Sequence, residues 1–330
     1  MKIFVIGSGS WGSALAQICV DNGHDVLIYG NNPDEINEIN EFHTNSKYFP
    51  NVKLNENLKG TLNLEDIKDA DVVVLSIPSV VTATVCKQMQ PYLTKKVILV
   101  NTAKGFEPTT NKRMSDAIRD NFNADKLSSV VSLIGPSHAE EVVVRLLTTV
   151  CSVSQNLEDA KTVQQIFSND YFRVYTGEDE IGSELGVAIK NSIALASGML
   201  SGLGYGDNTR AALITRGLAE MIRFGEAFGA QTKTFYGLTG IGDLIVTCTS
   251  VHSRNFEAGY LIGKANSSEV FWKNNKKTVE GVRTTEVLYR LKNEYNISMP
   301  IVDEIYKVLY ENKKPSDSAV ELMLRELKAE

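Results

Sequence analysis

Cysteine is scarce in this chain. Its four thiols, Cys19, Cys86, Cys151 and Cys248, are scattered over 330 residues with no Cys-x-x-Cys pair. That argues for reduced thiols in a cytoplasmic protein and against a zinc site, so no metal is expected. Long apolar runs are missing too. None approaches the ~18–20 residues that a membrane helix needs, and the apolar stretch after Lys2 is too short for a signal peptide. No stable membrane insertion is expected. Nor is there an excess of positive charge: 34 Lys and Arg stand against 40 Asp and Glu, a net charge of −6. No nucleic-acid partner is expected on that balance, and any anionic ligand must be held by a few placed groups. Low-complexity linkers, internal repeats and heptad seams are also lacking.

What is present is an ordinary globular composition, 43% hydrophobic and 22% charged, over a length that suggests about two domains. The first half alternates. Apolar runs at 2–6, 25–29, 71–77, 96–101, 130–134, 148–153 and 171–175 read as strands. Between them 11–20, a stretch opened by Pro33, 80–90, 111–121 and 157–167 read as helices. Strands that are apolar throughout, separated by helices, mean a parallel sheet covered on both faces. After about Glu180 no convincing strand remains. Helices are expected at 181–200, 209–228, 256–262, 280–293, 301–312 and 316–327, the last introduced by Pro315 near a Ser cap. The expected fold is an α/β N-terminal Rossmann-type doubly wound sheet domain, residues 1–180, followed by an all-α C-terminal domain, residues 181–330.

Gly7-Ser8-Gly9-Ser10-Trp11-Gly12 fits G-x-G-x-x-G, directly after the first strand and at the head of the first helix. In that setting Gly7 allows the tight turn, Gly9 lets the backbone approach a pyrophosphate, and Gly12 lets helix and strand pack closely. The exposed N–H groups and the helix dipole favour a diphosphate. A similar string, Ser201-Gly202-Leu203-Gly204-Tyr205-Gly206, follows a helix and reads as a loop. Cofactor choice is read at the end of the second strand, where an acid takes the adenine ribose 2′-hydroxyl of NAD and an Arg favours NADP. The chain has Gly30-Asn31-Asn32 there, which leaves NAD and NADP both open.

Three features of the second half carry chemistry. Lys190 lies in a nearly uncharged helix, with Gly186, Val187, Ile193 and Ala194 three and four residues away. An amine on such a face is either buried at a cleft, where it gives up its proton more readily, or snorkels to solvent. Gly240-Ile241-Gly242-Asp243 places an acid at a helix start, as a reactive carboxylate or as a simple cap. Ser253-Arg254-Asn255 precedes another helix and is either a phosphate seat or a surface arginine beside a capping serine. His252 has no assigned role.

Nine segments together carry a resemblance. They are GSGSWGSALA (7–16), KYFPNVKL (47–54), NTAKGFEP (101–108), GPSHAEEV (135–142), ELGVAIKNSIALASGM (184–199), NTRAALITRGLAEM (208–221), GLTGIGDLIVTCTS (237–250), HSRN (252–255) and VEGVRTTEV (279–287). In this order they resemble the soluble, bacterial-type NAD(P)-dependent glycerol-3-phosphate dehydrogenases over almost the full length. The resemblance implies hydride transfer between dihydroxyacetone phosphate and glycerol 3-phosphate, with NAD or NADP as cofactor, supplying the glycerol phosphate backbone of phospholipids. It implies Lys190 as general acid/base, Lys104 near the reacting oxygen, and Asp243 as the acid that positions lysine or substrate. Gly135, Ser137, Ser253, Arg254 and Asn255 match substrate contacts, with Arg254 on the phosphate. Gly7, Gly9, Ser10, Trp11, Gly12, Lys104, Ala139, Arg254 and Glu280 match cofactor contacts, joined by Asn31, Asn32, Tyr48 and Val279. A small phosphorylated triose is the implied substrate and a homodimer the implied assembly.

Two departures from the family pattern stand out. Asn31 replaces an Arg that many relatives carry, and Arg145-Leu146-Leu147-Thr148 stands where a Gly- and Pro-containing turn is usual. The nearest rival is another two-domain reductase of 3-hydroxy or 2-keto acids, which has no phosphate seat at Ser253-Arg254-Asn255. A catalytically silent dinucleotide sensor would need neither Lys190 nor Asp243.

Overall fold

The computed structural model describes residues 1–274, 279–327 and 329. Their contacts separate two units, Met1–Glu180 and Ile181–Glu330. In the first, eight strands form one sheet: β1 (Lys2–Ile6), β2 (Asp25–Tyr29), β3 (Lys59–Thr61), β4 (Val72–Leu75), β5 (Val97–Asn101), β6 (Leu127–Ile134), β7 (Thr148–Val153) and β8 (Phe172–Gly177). Their spatial order is 3-2-1-4-5-6-7-8. The helices α1 (Ser10–Asp21), α2 (Pro33–Asn37), α3 (Ser79–Met89), α4 (Met114–Asp120), α5 (Ala139–Val142) and α6 (Leu157–Phe167) lie between strands in the chain.

Apolar packing occurs on both faces, as continuous apolar strands require. Ile3 and Val5 of β1 join one buried cluster, Phe4 and Ile6 the other. The order of strands reverses direction between β1 and β4, and the loops after the carboxyl ends of strands at such a point form a binding crevice.

Two expectations need correction. The sheet is not wholly parallel, because β6 and β7 pair antiparallel. Only the four-residue α5 lies between them; it spans ~6 Å against the ~26 Å of an eight-residue strand such as β6. The chain therefore turns back instead of crossing over. The edge strand β3, paired with β2, was not expected: its three residues are Lys59, Gly60 and Thr61, with no apolar run.

The described residues of the second unit contain helices and no strand. They are α7 (Glu180–Gly202), which begins at the last residue of the first unit, then α8 (Asp207–Ala227), α9 (Thr232–Phe235), α10 (Asp243–Thr249), α11 (Arg254–Ala265), α12 (Glu269–Asn274), α13 (Glu280–Glu294), α14 (Pro300–Tyr310) and α15 (Pro315–Met323). Short α9, α10 and α12 were not expected. The second glycine string is only partly a loop, since α7 runs through Gly202. Lys314, not a serine, occupies the cap of α15, with Pro315 at the first helical position, and the helix ends before 327.

Glycine lets α7 approach its neighbours closely. A Cβ on Gly186 would stand 2.3 Å from the Thr239 carbonyl oxygen, and one on Gly259 of α11 would stand 2.0 Å from that of Leu195. Only a hydrogen atom fits in either gap. The first approach sets the backbone before Asp243 against the helical turn that precedes Lys190.

Candidate active site

In the first unit the glycine loop has the geometry its sequence requires. Gly7 takes φ +114°, and a Cβ there would meet the Ser76 carbonyl oxygen, after β4, at 2.3 Å. A Cβ on Gly12 would meet the Gly7 oxygen at 1.9 Å, whereas at Gly9 nothing lies within 4 Å. The loop is thus packed tightly at both ends and open at its middle. Helix α1 starts with Ser10 and Trp11 in its first turn, has no side-chain cap at Gly9 and carries no acid in that turn. Leading N–H groups without a side-chain acceptor, beside an open glycine, fit a diphosphate. Two side chains hold the loop from behind: the Ser8 carbonyl oxygen accepts from Asn45 Nδ2 at 2.8 Å and from Ser13 Oγ at 3.3 Å.

At the end of β2 the predicted cofactor residues diverge. Asn31 is exposed, while Asn32 caps α2 by accepting from the Asp34 N–H at 2.9 Å. Tyr48 is partly buried against the core, with Lys47 Nζ 5.1 Å from its ring centre. Ala139 is buried at the first position of α5.

Lys104, Gly135 and Ser137 come together beyond β5 and β6. Lys104 Nζ donates to the Gly135 carbonyl at 2.7 Å and lies 3.4 Å from Ser137 Oγ; Ser137 Oγ donates to the same carbonyl at 3.0 Å. Gly135 itself takes φ +150°, with Val150 Cα 3.0 Å from where a Cβ would stand.

In the second unit Lys190 does not snorkel. It is 4% exposed, and its Nζ lies 2.6 Å from Asp243 Oδ1. The amine also donates to Thr247 Oγ1 at 2.8 Å, and that hydroxyl donates on to the Asp243 carbonyl at 2.6 Å. Asp243 is 1% exposed and is no cap, since Gly242 holds that position at α10. Two opposite charges are therefore buried together and fixed by a hydroxyl one helical turn beyond the acid. Burial pushes the neighbouring Cys248 thiol up to about 12, with Lys190 pulling it down and Asp243 up.

Ser253 and Arg254 form the mouth of α11. Ser253 Oγ caps the helix by accepting from the Phe256 N–H at 3.2 Å, and Arg254 is exposed beside it. Asn255 is buried and used internally: its Nδ2 donates to Asn191 Oδ1 at 2.9 Å and its Oδ1 accepts from the Gly281 N–H at 2.8 Å. That bridge ties α7, α11 and α13 together. Val279 caps α13, and Glu280 is its first residue. Burial raises the Glu280 carboxyl above its ordinary range, while Arg254 and Arg283 pull it back. His252 is exposed, its N–H donating to Ser250 Oγ.

Thr247, Asn191, Asn45 and Glu35 were missed from the sequence. Thr247 had a readable signal, four residues after Asp243 and so on the same helix face. The bonds that place the other three, Asn191 to Asn255, Asn45 to the Ser8 carbonyl and Glu35 to the Ser8 hydroxyl, come only from the fold.

Comparison with known proteins covers both units. Residues 2–160 match the family described as NAD-dependent glycerol-3-phosphate dehydrogenase N-terminus, and residues 179–320 match the corresponding C-terminus. A protein of Enterococcus faecalis named glycerol-3-phosphate dehydrogenase [NAD(P)+] is 47% identical over 330 residues, covering 100% of this chain and 97% of its own. One of Listeria monocytogenes with the same name is 48% identical over 330 residues, covering 100% and 98%. The crystal structure of glycerol-3-phosphate dehydrogenase from Coxiella burnetii superposes with a TM-score of 0.89 at 31% identity, covering 98% of this chain and 99% of that one. Among the described residues, no helix is long and apolar enough to cross a membrane.

Proposed function

The chain belongs to the NAD-dependent glycerol-3-phosphate dehydrogenase family, and we propose that Lys190 is the group that handles the proton of its reaction. As an oxidoreductase it interconverts dihydroxyacetone phosphate and glycerol 3-phosphate with NAD or NADP, a step that supplies the glycerol phosphate of phospholipids. When bound, the nicotinamide exchanges a hydride with C2 of the triose.

The chain's own residues bind, orient and move one proton. Lys190 Nζ gives its proton to the C2 oxygen during reduction and takes it back during oxidation. Asp243 and Thr247 hold that amine to one position, which spares the reaction the cost of orienting it. The buried pair at 2.6 Å is the observation that carries this reading.

In our reading residues 1–180 form the dinucleotide-binding domain and residues 181–330 the substrate domain. Gly7, Gly9, Ser10, Trp11 and Gly12 hold the diphosphate, with Asn31, Asn32, Tyr48, Lys104, Ala139, Arg254, Val279 and Glu280 as further cofactor contacts. Lys104, Gly135 and Ser137, with Ser253, Arg254 and Asn255, bind the triose phosphate. The rival reading, a 2-keto acid or 3-hydroxy acid reductase, is disfavoured because both halves of the chain match the glycerol-3-phosphate family. We also propose a cytoplasmic location, consistent with four free thiols, of which Cys19, Cys86 and Cys248 are buried, and a homodimer, as the family resemblance implies.

Arg254→Ala tests the phosphate seat. A charge-assisted hydrogen bond contributes ~1.5–3 kcal/mol, so KM for dihydroxyacetone phosphate rises by roughly 10- to 100-fold while kcat changes less. An unchanged KM moves the seat elsewhere.

A further inference from the structure

We propose that Glu35 sets the cofactor preference of this chain towards NAD(H) and against NADP(H). The proposal rests on reading the glycine loop as the dinucleotide cradle. No acid stands at the end of β2, where Gly30, Asn31 and Asn32 follow the strand. One is supplied from α2 instead. Glu35 is 7% exposed, and its Oε2 accepts from the Oγ of Ser8, the residue between Gly7 and Gly9, at 2.8 Å. Its Oε1 accepts from Lys47 Nζ at 2.7 Å and from Asn32 Nδ2 at 3.3 Å. Gly30 completes the layer: a Cβ there would stand 2.3 Å from Ser8 Oγ. The carboxylate is thus packed between the glycine loop and the end of β2.

An ionised carboxylate offers about four acceptor sites, and the three hydrogen bonds above leave capacity for one more donor. A ribose 2′-hydroxyl is such a donor. A 2′-phosphate is largely dianionic at neutral pH, has little to donate, and brings like charge to a buried anion. Lys47, whose side chain is 60% exposed, is the cation that would otherwise receive a phosphate, but it is paired with Glu35. Asn31 and Asn32 carry no charge. The site therefore discriminates chiefly by what it repels.

Dissociation constants for NADH and NADPH, measured by titration calorimetry without substrate, test this. The unaltered protein binds NADH at least ~10-fold more tightly than NADPH, as one adverse charge contact predicts. Glu35→Gln narrows that ratio by ~10-fold or more through a gain for NADPH, and adding Lys47→Ala removes the gain. Glu35→Asp, which keeps the charge, keeps the preference for NADH. Equal affinities in the unaltered protein, or a ratio unmoved by Glu35→Gln, overturn the proposal. So does an equal loss of preference in Glu35→Asp and Glu35→Gln, which would assign the effect to packing. Binding of neither nucleotide overturns the cradle itself.

Discussion

Replacing Lys190 by Ala lowers the turnover of dihydroxyacetone phosphate by roughly 10²–10⁴-fold, while NADH still binds. The range is what a positioned proton donor contributes, and it applies here because the donor is single and placed. Lys190 is the one charged residue between Gly186 and Gly202, on a helix whose other side chains in that span are small, apolar or neutral. Its amine is out of water, 2.6 Å from Asp243, and a water molecule admitted in its place lacks both that charge and that fixed position. Cofactor binding survives because the hydrogen bonds that hold the glycine loop, from Asn45 and Ser13 to the Ser8 carbonyl, do not involve Lys190. Turnover within a few-fold of the unaltered rate would remove Lys190 from the reaction.

Asp243→Ala lowers stability as well as turnover. Removing one member of a buried ion pair leaves an uncompensated charge and costs ~3–5 kcal/mol, which a guanidinium unfolding series reads as an earlier midpoint. The companion experiment separates chemistry from folding. Lys190→Met combined with Asp243→Leu removes both charges and roughly keeps the side-chain volume, and such replacements are often neutral for stability. The double variant therefore recovers most of the lost stability and none of the turnover. Equal instability in the single and double variants would mean that the pair is not what the fold depends on there. Turnover in the double variant would contradict the proton-handling role.

Legibility followed how far each feature depends on neighbours in sequence. Strands β2 and β7 and helix α6 were readable to their end residues, since each is a short run whose residue types mark it locally as strand or helix. Strand β3 was invisible, because Lys59-Gly60-Thr61 has no apolar residue and is a strand only through its pairing with Leu27, Ile28 and Tyr29. The direction of β7 was equally hidden: an apolar strand reads the same either way along a sheet, and only the brevity of α5 decides it. Helices α9, α10 and α12 are too short, at four, seven and six residues, for a helical period to emerge.

The candidate site divides in the same way. Lys190 was conspicuous as a charge on an apolar face, and the glycine loop by spacing and context. That Lys104 bonds to the Gly135 carbonyl, 31 residues on, is a tertiary fact. So is the bond from Ser8 to Glu35, in which the acid absent from the strand end reappears on the following helix.

The most direct test supplies purified protein with dihydroxyacetone phosphate and, in parallel, with a series of 2-keto acids, using NADH and NADPH in turn and following loss of the reduced nucleotide. The account predicts rapid oxidation with the triose phosphate, greater with NADH than with NADPH, and little with any keto acid. Oxidation driven by a keto acid but not by dihydroxyacetone phosphate would contradict it.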